Sequence, residues 1–264
     1  MNPVVDYRQT SAKYYDEAYS TKQDLQDLQF YVDMAKTKGG PVLELACGTG
    51  RVLLPIAREG IPIHGVDNSL PMLNVLQDKL QREVKDVREL VSTLQGDIRN
   101  FRSNREYPLV PIPFRPLQHM YTVEGQIAAL QTAAFHLEDG GVLVFDVFYP
   151  KSDSLLSKIG EEFLELEWTP KSDPGKVIRR YFRKESVDKI NQNFSGTFIF
   201  RTYQGEKLVL EETESLRMSY YTYPHLRALF MLTGLEIVEE YGSFERTPLD
   251  NQAQQMIFVL KRNS

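Results

Sequence analysis

A glycine-rich turn between a short apolar run and a helix is the feature that most restricts the fold of this sequence. The apolar run covers residues 42–46, the turn covers 47–50, and apolar residues at helical spacing continue to Gly60. Such a run indicates a buried strand, and small turn residues let a ligand lie against the backbone. The turn also directs free amide groups at the start of the helix toward a bound molecule. The sequence therefore predicts a strand, a ligand-binding turn and a helix in succession.

Strand and helix patterns alternate as far as residue 148. Three apolar runs indicate further strands, at residues 61–66, 91–94 and 142–148. Residues 107–114 occupy the place of a fourth strand but contain three prolines, which cannot donate to a ladder. Residues 138–141 are typical of a turn. This alternation predicts an α/β fold with a doubly wound, mostly parallel sheet.

The pattern changes after residue 150. β-branched and aromatic runs separated by turn residues extend from about 161 to 220, which predicts a small antiparallel β-subdomain inserted into the main fold. Helical spacing returns at 223–233, and two closing strands follow, at 235–240 and 255–260. We expect three parts: an N-terminal helical region at 1–40, a main domain at 41–150 and 222–264, and the insertion at 151–221.

Composition restricts the partners and the compartment. The net charge of -5 and the sequence pI of about 5.5 argue against nucleic acid, because its binders usually carry a basic face. The single cysteine, Cys47, permits no intramolecular disulfide and fits a reducing cytosol. No stretch approaches the roughly 20 apolar residues that span a bilayer, and the first ten residues do not resemble a signal peptide. We expect a cytoplasmic protein without a membrane partner.

Acidic residues lie at the ends of three predicted strands. Glu44 lies in the first strand, Asp67 ends the second, and Asp97 follows the third. The carboxyl ends of adjacent parallel strands meet at the edge where open α/β sheets bind ligands. A carboxylate at position 67 can accept hydrogen bonds from both hydroxyls of a ribose. The spacing therefore predicts a nucleoside ligand.

Two nucleoside ligands fit such a crevice, NAD and S-adenosylmethionine, and the sequence has to distinguish between them. The dinucleotide fingerprint requires a third glycine where this chain has Leu53. Glu44 would also face the pyrophosphate of NAD, whereas a carboxylate suits the cationic sulfonium and ammonium of S-adenosylmethionine. The charge argument favours S-adenosylmethionine and leaves an NAD(P)-dependent oxidoreductase as one alternative. A nonenzymatic nucleoside-binding module is the other.

Five segments together resemble class I S-adenosylmethionine-dependent methyltransferases. They lie at residues 42–51, 65–73, 96–101, 136–146 and 230–235. The resemblance implies a Rossmann-like domain with a seven-stranded sheet whose last strand is antiparallel. It also implies that the inserted β-sheet caps a small-molecule site and that residues 1–40 form a lid. The proline-rich fourth strand departs from the family pattern.

The resemblance implies a set of residues around the turn. Glu44 is expected near the methionine moiety of the cofactor. Ala46, Gly48 and Gly50 are expected against the ligand, with Cys47 as a small buried spacer between them.

The resemblance also places residues around the nucleoside. Asp67 is expected to hold the ribose, with Asn68 and Met72 near the adenine. Asp97 is expected to bind the adenine amino group, while Ile98 packs on the ring.

The acceptor side is expected after the fourth strand. Phe114 would face the methyl group, and Tyr14 and Tyr19 would form the lid. His119 follows the fourth strand and is a candidate general base, although the packing of the helix it would begin favours a structural role for this histidine. Arg115 could bind an acidic substrate or face water.

The predicted activity is direct in-line transfer of a methyl group to a small-molecule acceptor, leaving S-adenosylhomocysteine. The attacking atom can be nitrogen, oxygen or carbon. Placement of both reactants can supply roughly 7–11 kcal/mol of the barrier, so a recognisable catalytic base is not required. No metal site is expected, because the histidines lack zinc-site spacing and Cys47 stands alone. The sequence names neither the acceptor nor an oligomeric state.

Overall fold

The computed structural model describes residues 9–21, 27–149 and 158–263. Within them the larger sheet has seven strands. They are β1 (Val42–Leu45), β2 (Ile63–Asp67), β3 (Val91–Gln95), β4 (Tyr107–Ile112), β5 (Leu137–Phe148), β10 (Leu235–Tyr241) and β11 (Gln255–Arg262). The order across the sheet is β10-β11-β5-β4-β1-β2-β3. β1 to β5 pair in parallel, and β11 is antiparallel to both β5 and β10. The predicted sheet, with its antiparallel last strand, is confirmed.

Helices cover both faces of this sheet. They are α1 (Gln9–Ser20), α2 (Asp27–Lys38), α3 (Leu53–Arg58), α4 (Leu70–Leu80), α5 (Lys85–Glu89), α6 (Val123–Phe135) and α7 (Tyr223–Thr233). One core cluster contains apolar residues of α2 to α5, and the other contains those of α6 and α7. The central strands β1 and β4 are buried on both faces and are mostly apolar, whereas the edge strands β3 and β10 are largely exposed. Among the described residues, no helix is long and apolar enough to cross a membrane.

The proline-rich segment forms β4, a fully buried strand between β1 and β5. Its pairing is irregular: the register with β5 shifts between Tyr107 and Leu109, and Val42 with Leu109 is the pair recorded with β1. Pro108 and Pro111 each remove a ladder donor, which explains the sparse hydrogen bonding. Complete burial of the apolar side chains between them keeps the strand in the sheet.

The turn predicted at residues 138–141 is wrong. β5 begins at Leu137 and continues through this segment. Gly141 is packed so tightly that an added Cβ would lie 2.7 Å from the carbonyl oxygen of Tyr107. Gly141 therefore serves a close approach of β5 to β4, whereas Gly140 has open space around it and a positive φ of 80°.

The inserted region forms a separate antiparallel sheet. Its strands are β6 (Glu162–Trp168), β7 (Lys176–Asp188), β8 (Asn193–Gln204) and β9 (Lys207–Ser219). We call this sheet the β-subdomain. Its apolar face packs against α1, with Tyr14 and Ala18 in the shared core. Residues 1–8 and 22–26 of the predicted lid, residue 150, and residues 151–157 of the predicted insertion lie outside the described residues.

Candidate functional site

A cleft opens at the carboxyl ends of β1 to β4. Its empty volume is about 700 Å³, including part of the mouth, which is within the range of small-molecule sites. The residues that line it are Tyr15, Ala46, Gly48, Asp67, Asn68, Met72, Asp97, Ile98, Pro113, Phe114, Pro116, His119 and Met120.

The glycine-rich turn forms the floor of the cleft. Ala46, Gly48 and Gly50 all have positive φ angles, so the backbone curls away from β1 before α3 begins. A Cβ at Gly48 would have no neighbour within 4 Å, whereas one at Gly50 would lie 2.4 Å from Cδ1 of Leu76. Gly48 therefore exposes bare backbone, while Gly50 allows the turn to pack on α4.

Asp67 fixes the shape of this turn. The backbone N–H of Gly48 donates to Oδ2 of Asp67 (2.7 Å), and that of Ser69 donates to Oδ1 (2.8 Å). The side chain is almost buried yet lines the cleft. A carboxylate oxygen has more than one acceptor position, so Asp67 can hold the turn and still accept from a ligand.

Asp97 lies at the opposite end of the cleft. The Nε–H of Arg99 donates to Oδ1 of Asp97 (2.9 Å), and the backbone N–H of Arg99 donates to the same oxygen (2.9 Å). Burial acts to raise the pKa of Asp97, but the hydrogen bonds from Arg99 outweigh it and hold the pKa below its ordinary value. Asp97 therefore stays ionised and fixed in position.

Glu44 is a buried carboxylate next to the turn. It is 1% exposed, and its Oε2 atom has no hydrogen-bond partner. Burial raises its pKa well above the ordinary value, with Arg51 opposing and Asp67 adding to the shift. A buried carboxylate oxygen without a donor is costly, and a ligand with an ammonium group would supply one.

Comparison with known proteins identifies methyltransferases that are similar to this chain. A family model described as a methyltransferase domain matches residues 42–141. The cypemycin N-terminal methyltransferase of a Streptomyces species is 25% identical over 258 residues, which cover 97% of this chain and 97% of that protein. The structure of the CcbJ methyltransferase from Streptomyces caelestis has a TM-score of 0.81 at 25% identity and covers 96% of both chains.

This chain is an S-adenosylmethionine-dependent methyltransferase, and it is similar to class I enzymes of this kind. The oxidoreductase and nonenzymatic alternatives are set aside. A further relative, a dTDP-3-amino-3,4,6-trideoxy-alpha-D-glucopyranose N,N-dimethyltransferase of Streptomyces venezuelae, is 31% identical over 124 residues. Those residues cover 47% of this chain and 48% of that enzyme.

The residues of the methyltransferase fit the chemistry of S-adenosylmethionine. The unsatisfied oxygen of Glu44 would accept a hydrogen bond from an ammonium group, although this buried side chain does not itself line the cleft. The open side of Gly48 leaves room for the ligand, and the carboxylates of Asp67 and Asp97 lie where hydroxyl and amino donors would be held. Ile98 and Met72 supply apolar surface for a base.

Some predicted residues lie away from the cleft. The Cys47 side chain faces the core, because a Cβ added at Gly65 would lie 2.7 Å from its Sγ. Tyr14 packs between Trp168 and Phe200, and Tyr19 contacts Arg180 and Phe114. The sequence analysis missed Tyr15, which lines the cleft. Only the rotation of α1 distinguishes Tyr15 from its neighbour, and the sequence around them shows no clear apolar face.

Phe114 is held as a rigid wall of the cleft. Phe114 and Arg115 both have positive φ angles (68° and 70°), which is strained for residues with side chains and is typical of functional sites. The guanidinium of Arg51 lies over the Phe114 ring, 4.6 Å from its centroid. The edges of Tyr15 and Tyr19 contact the same ring, with centroid distances of 6.1 and 4.8 Å.

His119 lies at the end of a 3-10 turn, Pro116–His119, and lines the cleft beside Phe114. Burial lowers its pKa from 6.5 to about 4. The imidazole is therefore neutral at physiological pH and can accept a proton or a hydrogen bond.

The lowered pKa of His119 predicts an acid-sensitive fold. Between pH 6.5 and about 4 the unfolded chain binds a proton at this histidine, whereas the folded chain does not. The free energy of unfolding should therefore fall as the pH falls through this window, and His119→Gln should reduce that loss. Melting temperatures of both proteins at pH 7.5 and pH 5 measure the difference. Parallel changes in the two melting temperatures would contradict the assignment.

Proposed function

We propose that this enzyme methylates the nitrogen of a small-molecule amine. The observation that supports a nitrogen acceptor is the chemistry of the cleft wall around Phe114. Its hydrogen-bond acceptor is the neutral imidazole of His119, whose pKa is about 4. Such a weak base cannot generate an alkoxide or a carbanion, whereas a neutral amine already has the lone pair that attacks. The relatives support a nitrogen acceptor, since their names specify N-terminal or N,N-dimethyl transfer.

The protein's own contribution is placement of the two reactants. The chemistry supplied by bound S-adenosylmethionine is a methyl group on a positively charged sulfur, and its transfer leaves S-adenosylhomocysteine. Gly48 and Asp67 hold the nucleoside, and Phe114 excludes water beside the reacting atoms. A nitrogen of the neutral His119 imidazole accepts a hydrogen bond from the N–H of the acceptor amine, and the ammonium proton of the product passes to solvent after release.

The predicted assignments of single residues belong to this proposal. Asp67 would bind the ribose, Asp97 the adenine amino group, and Asn68 the edge of the base. Helix α1 would form the lid through Tyr15, and the β-subdomain would cap the acceptor. The free, buried Cys47 supports a reducing, cytoplasmic setting.

Paired acceptors test the choice of nitrogen. The enzyme is incubated with S-adenosylmethionine and either a short peptide with a free N-terminus or its N-acetylated form. A dTDP-3-amino sugar and its 3-hydroxy counterpart form the second pair. We expect mass spectrometry to detect methyl transfer to an amine member only. Methylation of a hydroxy or acetylated member would overturn the proposal.

Replacement of His119 tests this hydrogen-bond acceptor in the same assay. His119→Gln should lower kcat about 10- to 100-fold, because it shifts the acceptor that orients the amine, and misplacement by about 1 Å can cost roughly 100-fold in rate. The dissociation constant of S-adenosylhomocysteine should stay within about twofold of the parent value, because nothing else in the cofactor end of the cleft changes. An unchanged kcat would remove His119 from the mechanism while leaving the nitrogen acceptor in place.

A further inference from the structure

Helix α1 is attached mainly to the β-subdomain. The Tyr14 ring lies against Trp168 and Phe200, with centroids 5.7 and 5.6 Å apart. The backbone N–H of Ser11 donates to Oε2 of Glu214 on β9 (3.1 Å). These contacts make α1 and the small sheet one packed unit.

Asp16 connects this unit to the cofactor-binding domain. One carboxylate oxygen accepts a hydrogen bond from the hydroxyl of Thr49 (2.8 Å), and the other pairs with the ammonium of Lys79 (2.9 Å). Thr49 belongs to the glycine-rich turn and is 1% exposed, and Lys79 lies in the last turn of α4. A single side chain therefore ties α1 to two elements that border the cleft.

The contacts of Asp16 with Thr49 and Lys79 determine where the neighbouring Tyr15 lies. Tyr15 lines the cleft and contacts the edge of Phe114. Residues 14 and 16 point to nearly opposite sides of a helix, so Tyr14 faces the β-subdomain while Asp16 faces the turn. With Asp16 engaged, the Tyr15 ring stays against the mouth of the cleft. Without it, α1 keeps its packing on the β-subdomain but loses its polar connection to the turn and to α4.

We propose that Asp16 is a positioning residue that fastens α1 over the bound nucleoside and sets the rate at which S-adenosylhomocysteine leaves. The Asp16 and Lys79 side chains are 37% and 28% exposed, so water and salt weaken their attraction. An ion pair of this strength holds the cleft closed but can break on each turnover. The proposal concerns cofactor exchange and is tested without any acceptor.

The test measures the dissociation rate of S-adenosylhomocysteine from the full chain, by chasing the tritiated compound with an excess of the unlabelled one. Asp16→Ala removes both contacts and should raise the rate about tenfold, as expected for loss of a charge-assisted hydrogen bond. Asp16→Asn keeps an acceptor for Thr49 but loses the charge that pairs with Lys79, and should have an intermediate rate. Asp78→Asn removes an exposed carboxylate from the same helix as Lys79 and should match the parent.

A double-mutant cycle separates positioning from general destabilisation. If Asp16 acts through Lys79, combining Asp16→Asn with Lys79→Met should raise the dissociation rate by less than the product of the two single effects. A merely structural role would lower the melting temperature and leave the dissociation rate unchanged. A parent-like rate in Asp16→Ala, an equal increase in Asp78→Asn, or fully multiplicative single effects would each overturn the proposal.

Discussion

Replacement of Gly48 by leucine should reduce the affinity for S-adenosylhomocysteine by at least about 100-fold, or about 2.8 kcal/mol. Gly48 has a φ of +53°, which side chains disfavour, and its missing Cβ faces open space at the floor of the cleft. A leucine side chain would therefore occupy the volume that the ligand needs. Because the space is open, the sheet beneath should remain folded. Isothermal titration calorimetry and the melting temperature measure the two effects.

Gly50 provides the matched control for this substitution. It lies in the same turn with a φ of +77°, but a Cβ there would meet Cδ1 of Leu76 at 2.4 Å. Gly50→Ala should therefore lower the melting temperature more than Gly48→Leu does, since it forces α4 away from the turn. Equal losses of stability in the two variants, or normal cofactor binding by Gly48→Leu, would contradict the assigned position of the ligand.

Loss of the Asp67 carboxylate should have the second large effect. Asp67→Ala removes the acceptor that we propose for both ribose hydroxyls and releases the backbone N–H groups of Gly48 and Ser69. Hydrogen bonds to charged groups contribute about 1.5–3 kcal/mol each, so we expect a loss of affinity of about 100-fold or more. Calorimetry with S-adenosylhomocysteine measures it.

Two variants refine the interpretation of Asp67. Asp67→Asn places an amide group where two backbone N–H donors converge, so it should retain only part of the affinity. Asp250→Asn removes an exposed carboxylate in the β10–β11 loop and should bind the cofactor normally. Parent-like affinity in Asp67→Ala would remove Asp67 from the ribose role and leave it as a support of the turn.

Local patterns explain why the fold was predictable. Apolar runs, glycines and an acidic residue at a strand end are properties of short segments, and parallel strands bring those ends to one edge. Asp67, Gly48 and Ile98 therefore lie together in the cleft as expected. The N-cap at Ser69 is equally local, since its hydroxyl accepts from the backbone N–H three residues later.

Contacts between distant segments were beyond such patterns. The prolines of β4 argued against a strand, but burial between β1 and β5 decided in its favour. Asp27, far from the turn in sequence, forms a salt bridge with Arg51 and so supports the wall at Phe114. Neither the placement of β4 between its neighbours nor the Asp27–Arg51 salt bridge produces a periodic pattern in the sequence.

The sequence by itself determined a doubly wound, mostly parallel sheet, a glycine-rich turn and carboxylates at the ends of its strands. Each of these features depends on residues that are only a few positions apart. The packing of α1 against the small sheet decided that Tyr15, and not Tyr14, borders the cleft, and that Asp16 meets Thr49 and Lys79. Helix rotation and the docking of separate elements follow from the total burial of apolar surface over the whole molecule. This total burial depends on contacts between distant segments, which only the folded structure shows.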